Sequence, residues 1–199
     1  MSEQVVMRMP VEAFLEWGLH QDQRYELVDG VPVAMAGAKQ VHDLIVTNVH
    51  AMLHPQLRGK TCRNFTADIA VRIPAGNIRR PDAGIDCGPF DREATAAGAP
   101  FLVLEVLSRS TREFDLLRKL EEYKTVPGLA HIVVVDPDAA QVFHWSRPPG
   151  MEWRYALLEG LDAVISLPEI DCALELAGLY EGLTFRPRPR LVQDDAPLG

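Results

Sequence analysis

The stretch Phe101-Leu102-Val103-Leu104-Glu105-Val106-Leu107 is apolar except for a single acid. An ionised carboxylate buried in such a run costs on the order of several kcal/mol unless it is paired or binds a metal. The run has a strand's length and the two-sided apolar composition of a parallel-sheet strand. Ala99-Pro100 precedes it and Ser108-Arg109-Ser110-Thr111 comes after it. Alternation sends Phe101, Val103, Glu105 and Leu107 to one face and Leu102, Leu104 and Val106 to the other. Taken alone, Glu105 is either a buried acid satisfied by an arginine or backbone group, or a functional carboxylate near the end of a central strand, where open α/β sheets carry their sites.

The chain has 199 residues, 47% hydrophobic and 24% charged, ordinary values for a globular protein with a substantial core. Residues 1–185 are expected to form a single domain and residues 186–199 a flexible tail. That tail starts at Arg186-Pro187-Arg188-Pro189-Arg190 and ends acidic and proline-containing. There is no apolar run of membrane-spanning length, and Met1-Ser2-Glu3-Gln4 lacks the features of a signal peptide, so a cytoplasmic protein is expected. Cys62, Cys87 and Cys172 form no C-x-x-C pair and read as buried free thiols of a reducing compartment. A net charge of −8 argues against a surface broadly coated for nucleic acid.

Local signals place several elements. Met9 to Trp17 reads as a short helix, with Pro10 early and Val11, Phe14 and Leu15 on one face. Arg24 to Val28 and Val31 to Met35 flank Asp29-Gly30, a strong hairpin signal, and Pro32 assigns the second arm to an edge. Within that hairpin, Glu26 reads locally as a solvated strand acid. Val41, Leu44, Ile45, Val49, Met52, Leu53 and Leu57 recur at helical spacing between residues 40 and 57. His50 and His54 on that helix read as surface residues, because Ala51 stands where a zinc-protease motif needs glutamate; His42, in the first turn, is the candidate to line a site. Strands are expected around residues 61–65, 68–73 and 83–87, a surface loop over residues 90–99 and a helix over residues 112–126. Further strands fall at residues 131–136, 141–145, 153–158 and 163–166, with a last helix over residues 174–180. On the helix at 112–126, Asp115 and Lys119 lie side by side, and the local reading of the two is an ion pair.

Three features then fall in chain order: Pro81-Asp82 entering a strand, Glu105 inside the next apolar strand, and Lys119 on the helix after it. Two carboxylates from adjacent strands suit a hard divalent cation that keeps some of its waters. With a nearby lysine, they are the minimum equipment for hydrolysing a phosphodiester.

In these features the chain resembles the restriction-endonuclease-like superfamily with its PD-(D/E)XK motif, and more closely its Uma family. The resemblance rests on Tyr25-Glu26-Leu27-Val28-Asp29-Gly30, Arg80-Pro81-Asp82, Leu104-Glu105-Val106-Leu107-Ser108 with Ser110-Thr111, the segment Asp115 to Tyr123, and Val134-Val135-Asp136-Pro137. It implies an α/β fold: a restriction-endonuclease-like core with a mixed central sheet flanked by helices, plus an N-terminal helix and β-hairpin. The implied activity is metal-dependent endonucleolytic hydrolysis of DNA. Asp82 and Glu105 would be the Mg²⁺ or Mn²⁺ ligands, Lys119 the catalytic lysine, Glu26 an additional acid of the site, and His42 and Asp115 further candidates. Nucleic acid is the expected partner, a homodimer is expected, and the absence of a membrane-length apolar run leads to an expectation of no membrane association. Leu107 stands where the superfamily's lysine would be, two residues after Glu105, and Lys119 matches a position on the next helix. Arg109 is a smaller departure, at a loop position that is often proline in the family. The alternative reading is a non-catalytic nuclease-like module that binds nucleic acid or protein, and the residual one is a globular protein whose acids are structural.

Overall fold

The computed structural model describes residues 8–108 and 113–185, with side chains in the helix after the gap described from Leu116 onward. The tail from Arg186 and the loop around Arg109 lie outside the described residues. The chain runs α1 (Val11–Gly18), β1 (Tyr25–Val28), β2 (Val31–Ala34), α2 (Gln40–Leu57), β3 (Arg63–Thr66), β4 (Val71–Arg72), β5 (Ile78–Arg79), β6 (Ala83–Asp86) and β7 (Pro100–Val106). It continues through α3 (Glu113–Lys124), β8 (His131–Asp136), β9 (Gln141–Ser146), β10 (Arg154–Glu159), β11 (Val164–Leu167), a short 3₁₀ turn, β12 (Cys172–Glu175) and α4 (Leu176–Leu179). Among the described residues, no helix is long and apolar enough to cross a membrane.

The central sheet has six strands in the order β10-β9-β8-β7-β6-β3, with β7 and β8 parallel and every other neighbouring pair antiparallel. A parallel pair needs a crossover, and α3 supplies it. Strand β7 is apolar on both faces because each face meets its own core. Leu102, Leu104 and Val106 pack with Ile45, Val49 and Leu53 of α2. Val103 packs with Leu120 and Tyr123 of α3 on the other side. Each such side chain, once buried, contributes roughly 1.5–3 kcal/mol. Glu105 lies on the α3 face of this strand, near its carboxyl end.

A second sheet, ordered β2-β1-β5-β4, carries the hairpin. Asp29 and Gly30 both have positive φ, 51° and 78°, as the tight two-residue turn requires. Pro32 sits on β2, an edge strand, where its missing N–H removes no ladder bond.

Three expectations change. The strand expected over residues 68–73 contracts to Val71–Arg72, and Ile78–Arg79 forms a strand that local pattern does not signal. The expected helix over residues 174–180 begins only at Leu176, because Leu174 pairs with Ile165 in a two-stranded sheet. Cys62 and Cys87 are joined by a disulfide rather than free. Pairing of β3 with β6 sets Arg63 opposite Asp86, which brings the residues just beyond each abreast. Cys172 is a buried free thiol.

Gly84 faces α3's side of the sheet directly opposite Phe65, whose ring occupies the space a side chain would need. Gly84→Ala is therefore expected to destabilise the fold by about 2 kcal/mol through overpacking, read as a lowered midpoint in urea unfolding at unchanged m-value.

Candidate functional site

Strands β6 and β7 run antiparallel with Ala83 opposite Leu104, so Asp82, just before β6, lies beside the carboxyl end of β7. There the Val106 backbone N–H donates to Asp82 Oδ2 at 2.8 Å, and His42 Nε2 lies 3.0 Å from the same oxygen. Glu105 Oε1 accepts the Tyr123 hydroxyl at 2.7 Å and lies 3.6 Å from Lys119 Nζ. Among the described residues, Asp82 Oδ1 and Glu105 Oε2 have no hydrogen-bond partner.

Lys119 Nζ also reaches Glu26 Oε1 at 2.9 Å. Glu26 is buried, 6% exposed, and this corrects its reading as a solvated acid. Strand β1 is covered on both faces, with Leu27 in the small core around Phe14 and Ile78 and Glu26 against Arg79 and Lys119. Glu26 Oε1 accepts the Arg80 backbone N–H at 3.1 Å, and its Oε2 accepts Arg79 Nη1 at 2.9 Å. Arg79 Nε donates to Glu122 Oε2 at 2.6 Å. Glu122 Oε1 in turn accepts from Asn77 Nδ2 and Arg118 Nε, and Arg118 Nη2 bonds Asp29 in the hairpin turn at 2.7 Å.

The structure thus brings Asp82, Glu105, Lys119, Glu26 and His42 to one cleft, about 1270 Å³ in volume, between the hairpin and α2. The side chain of Asp115 lies outside the described residues. His54 is exposed, but His50 is half-buried on the cleft wall with Nδ1 2.8 Å from Asn64 Nδ2, which corrects its reading as a surface residue. Sequence reasoning misses Arg79 and Tyr123. For Tyr123 there is a signal, since it lies four residues after Lys119 on the same helical face; Arg79 has none.

Burial pushes the Glu105 carboxyl up to about 7; Lys119 opposes the rise, while the charges of Asp82 and Glu26 add to it. Burial disfavours the Lys119 ammonium, but Glu105 and Glu26 outweigh it and hold its pKa above the ordinary lysine value. The hydrogen bond with Asp82 raises His42 despite its partial burial.

Two carboxylate oxygens without partners among the described residues, one just before β6 and one on β7, are hard donors of the kind that suits Mg²⁺ or Mn²⁺. No set of three His, Cys, Asp or Glu side chains among the described residues could hold a metal ion. An ion bound by Asp82 and Glu105 alone would keep several waters, which fits a catalytic hard cation and does not fit a closed structural zinc site.

A family model described as "Putative restriction endonuclease", Uma2, matches residues 11–177. The uncharacterized protein slr1290 of Synechocystis sp. is 27% identical over 180 residues, covering 89% of this chain and 94% of that one. The uncharacterized protein sll1609 of the same organism is 25% identical over 147 residues, covering 72% and 83% respectively. The fold is similar to that of a crystal structure described as a putative nuclease belonging to DUF820 from Anabaena variabilis, with a TM-score of 0.69 and 18% identity over 86% of this chain and 97% of that one.

A carboxyl near 7 in the fold and at 4.5 when unfolded contributes stability that is fully present below pH 4.5 and lost as pH rises through 7. In metal-free protein at pH 8, Glu105→Gln is therefore expected to be more stable than wild type by roughly 1–3 kcal/mol, the difference vanishing near pH 4. Thermal unfolding across that range checks it.

Proposed function

This chain belongs to the Uma2 family, and we propose that it is a Mg²⁺- or Mn²⁺-dependent nuclease that hydrolyses phosphodiester bonds in DNA. The observation that carries the reading is that Asp82, Glu105 and Lys119, from three separate stretches of the chain, line one cleft, with Lys119 Nζ 3.6 Å from Glu105 and one oxygen of each carboxylate without a partner among the described residues. When bound, the cation would supply Lewis-acid stabilisation of the phosphate and a more acidic water.

The side chains divide the remaining work. Asp82 Oδ1 and Glu105 Oε2 would hold the ion, while their other oxygens are fixed by Val106 N–H and His42 in one case and by Tyr123 in the other. A fixed carboxylate plane means that the free oxygen needs little reorganisation to bind. As an ammonium, Lys119 has only donors. One of them is engaged by Glu26, which leaves others to orient the attacking water or to steady a non-bridging phosphate oxygen as charge develops. Glu26 serves as the anchor of that lysine and His42 as the orienting partner of Asp82.

Calorimetric titration of Mn²⁺ tests the site before any substrate is known. Asp82→Asn and Glu105→Gln, each checked for folding by circular dichroism, are expected to lose at least tenfold in affinity, and Lys119→Met is expected to stay within about threefold of wild type. Unchanged affinity in both carboxylate variants would remove the metal site. With Mn²⁺ present, wild type is expected to cut a labelled DNA, and Lys119→Met to be slower by about 100-fold or more. Cleavage of RNA but not DNA would overturn the choice of substrate and leave the chemistry standing.

A further inference from the structure

Arg79 is 1% exposed, the most deeply buried cation among the described residues, and no step of the proposed hydrolysis uses it. We propose that Arg79 is a positioning residue for Lys119: through Glu26 and Glu122 it fixes both the acceptor that holds the ammonium and the helix that carries it. Its role in catalysis rests on the reading of the pocket as a nuclease site, whereas its effect on the lysine does not.

Glu26 divides its two oxygens between different cations. Oε2 takes Arg79 Nη1 at 2.9 Å, and Oε1 takes Lys119 Nζ at 2.9 Å together with the Arg80 N–H at 3.1 Å. A carboxylate is planar, so a grip on Oε2 fixes where Oε1 points. Lys119 ends a flexible four-carbon stem and has two acids within reach, Glu26 at 2.9 Å and Glu105 at 3.6 Å. If Arg79 did not share the charge of Glu26, that charge would draw the ammonium away from Glu105 and from the free oxygens beside it.

The other end of the same guanidinium sets the helix. Arg79 Nε bonds Glu122 Oε2 at 2.6 Å, three residues after Lys119 on α3, and Glu122 also gathers Asn77 and Arg118. Asn77 and Arg118 both tie back to Asp29 in the hairpin turn, at 2.8 and 2.7 Å. One rigid fork therefore spans β1 and α3 from β5, with donors at fixed separation. A lysine at position 79 would keep the charge but could not span both acids.

The test observes Lys119 directly in the full, metal-free chain. Lysine labelled with ¹³C at Cε gives a Lys119 signal, identified by its loss in Lys119→Arg. Glu122→Gln, Arg79→Lys and Arg79→Met are expected to move that signal, Arg79→Lys less than Arg79→Met. In the same folded variants Mn²⁺ affinity is expected to remain within twofold of wild type, while kcat for DNA falls tenfold or more with KM within twofold. A Lys119 signal that stays in place in folded Arg79→Lys and Glu122→Gln overturns the proposal, and these two variants decide the matter if Arg79→Met does not fold. Should the signal move while wild type with Mn²⁺ cuts neither DNA nor RNA, the nuclease reading falls and the positioning role stands. Should wild type cut DNA while the signal does not move, the positioning role falls alone.

Discussion

Charge balance in one pocket governs this structure. Glu26 and Glu105 are buried and Asp82 half-buried on the wall of one cleft, and without compensation a buried carboxylate costs several kcal/mol, on the order of what a few apolar side chains of a strand return. Lys119 between Glu26 and Glu105, and Arg79 between Glu26 and Glu122, make that convergence tolerable. The compensation is incomplete at Glu105, whose carboxyl stays high on the pH scale. An acid kept uncomfortable in the bare fold is one that any added positive charge beside it would stabilise.

The rest of the architecture serves this balance. Strand β7 separates two cores and uses its α3 face for the acid, so the apolar residues on the α2 face hold the strand rigid behind Glu105. Antiparallel pairing delivers Asp82 from β6, and the parallel crossover to β8 returns α3 over the same face with Lys119 and Tyr123.

The range of each interaction decides how far the sequence reveals it. The Asp29-Gly30 turn, the 3.6-residue period of α2 and the apolar run around Glu105 are written in neighbouring residues, and the structure holds all three. The burial of Glu26 depends on Arg79, 53 positions away, so no local pattern could reveal it. The same holds for β5, whose two residues are strand only because they pair with β1 and β4. It holds also for the Cys62–Cys87 link, which depends on the register of β3 against β6. His50 looks like a surface residue in the sequence because the helix pattern marks the core face and is silent about a cleft on the opposite flank.

Carrying the amine on a helix frees Leu107 for another use. It packs with the core under α3, so a position that could have held a charge strengthens the hydrophobic layer instead. The lysine in turn hangs on α3, which docks on the sheet through side chains such as Leu120 and Tyr123. A group on a central strand is lost only when the ladder breaks, whereas one on a docked helix is lost when the docking opens, and such sub-global openings lie below global unfolding in free energy. The lysine can then leave the pocket in an opening of α3 that leaves the sheet around it intact.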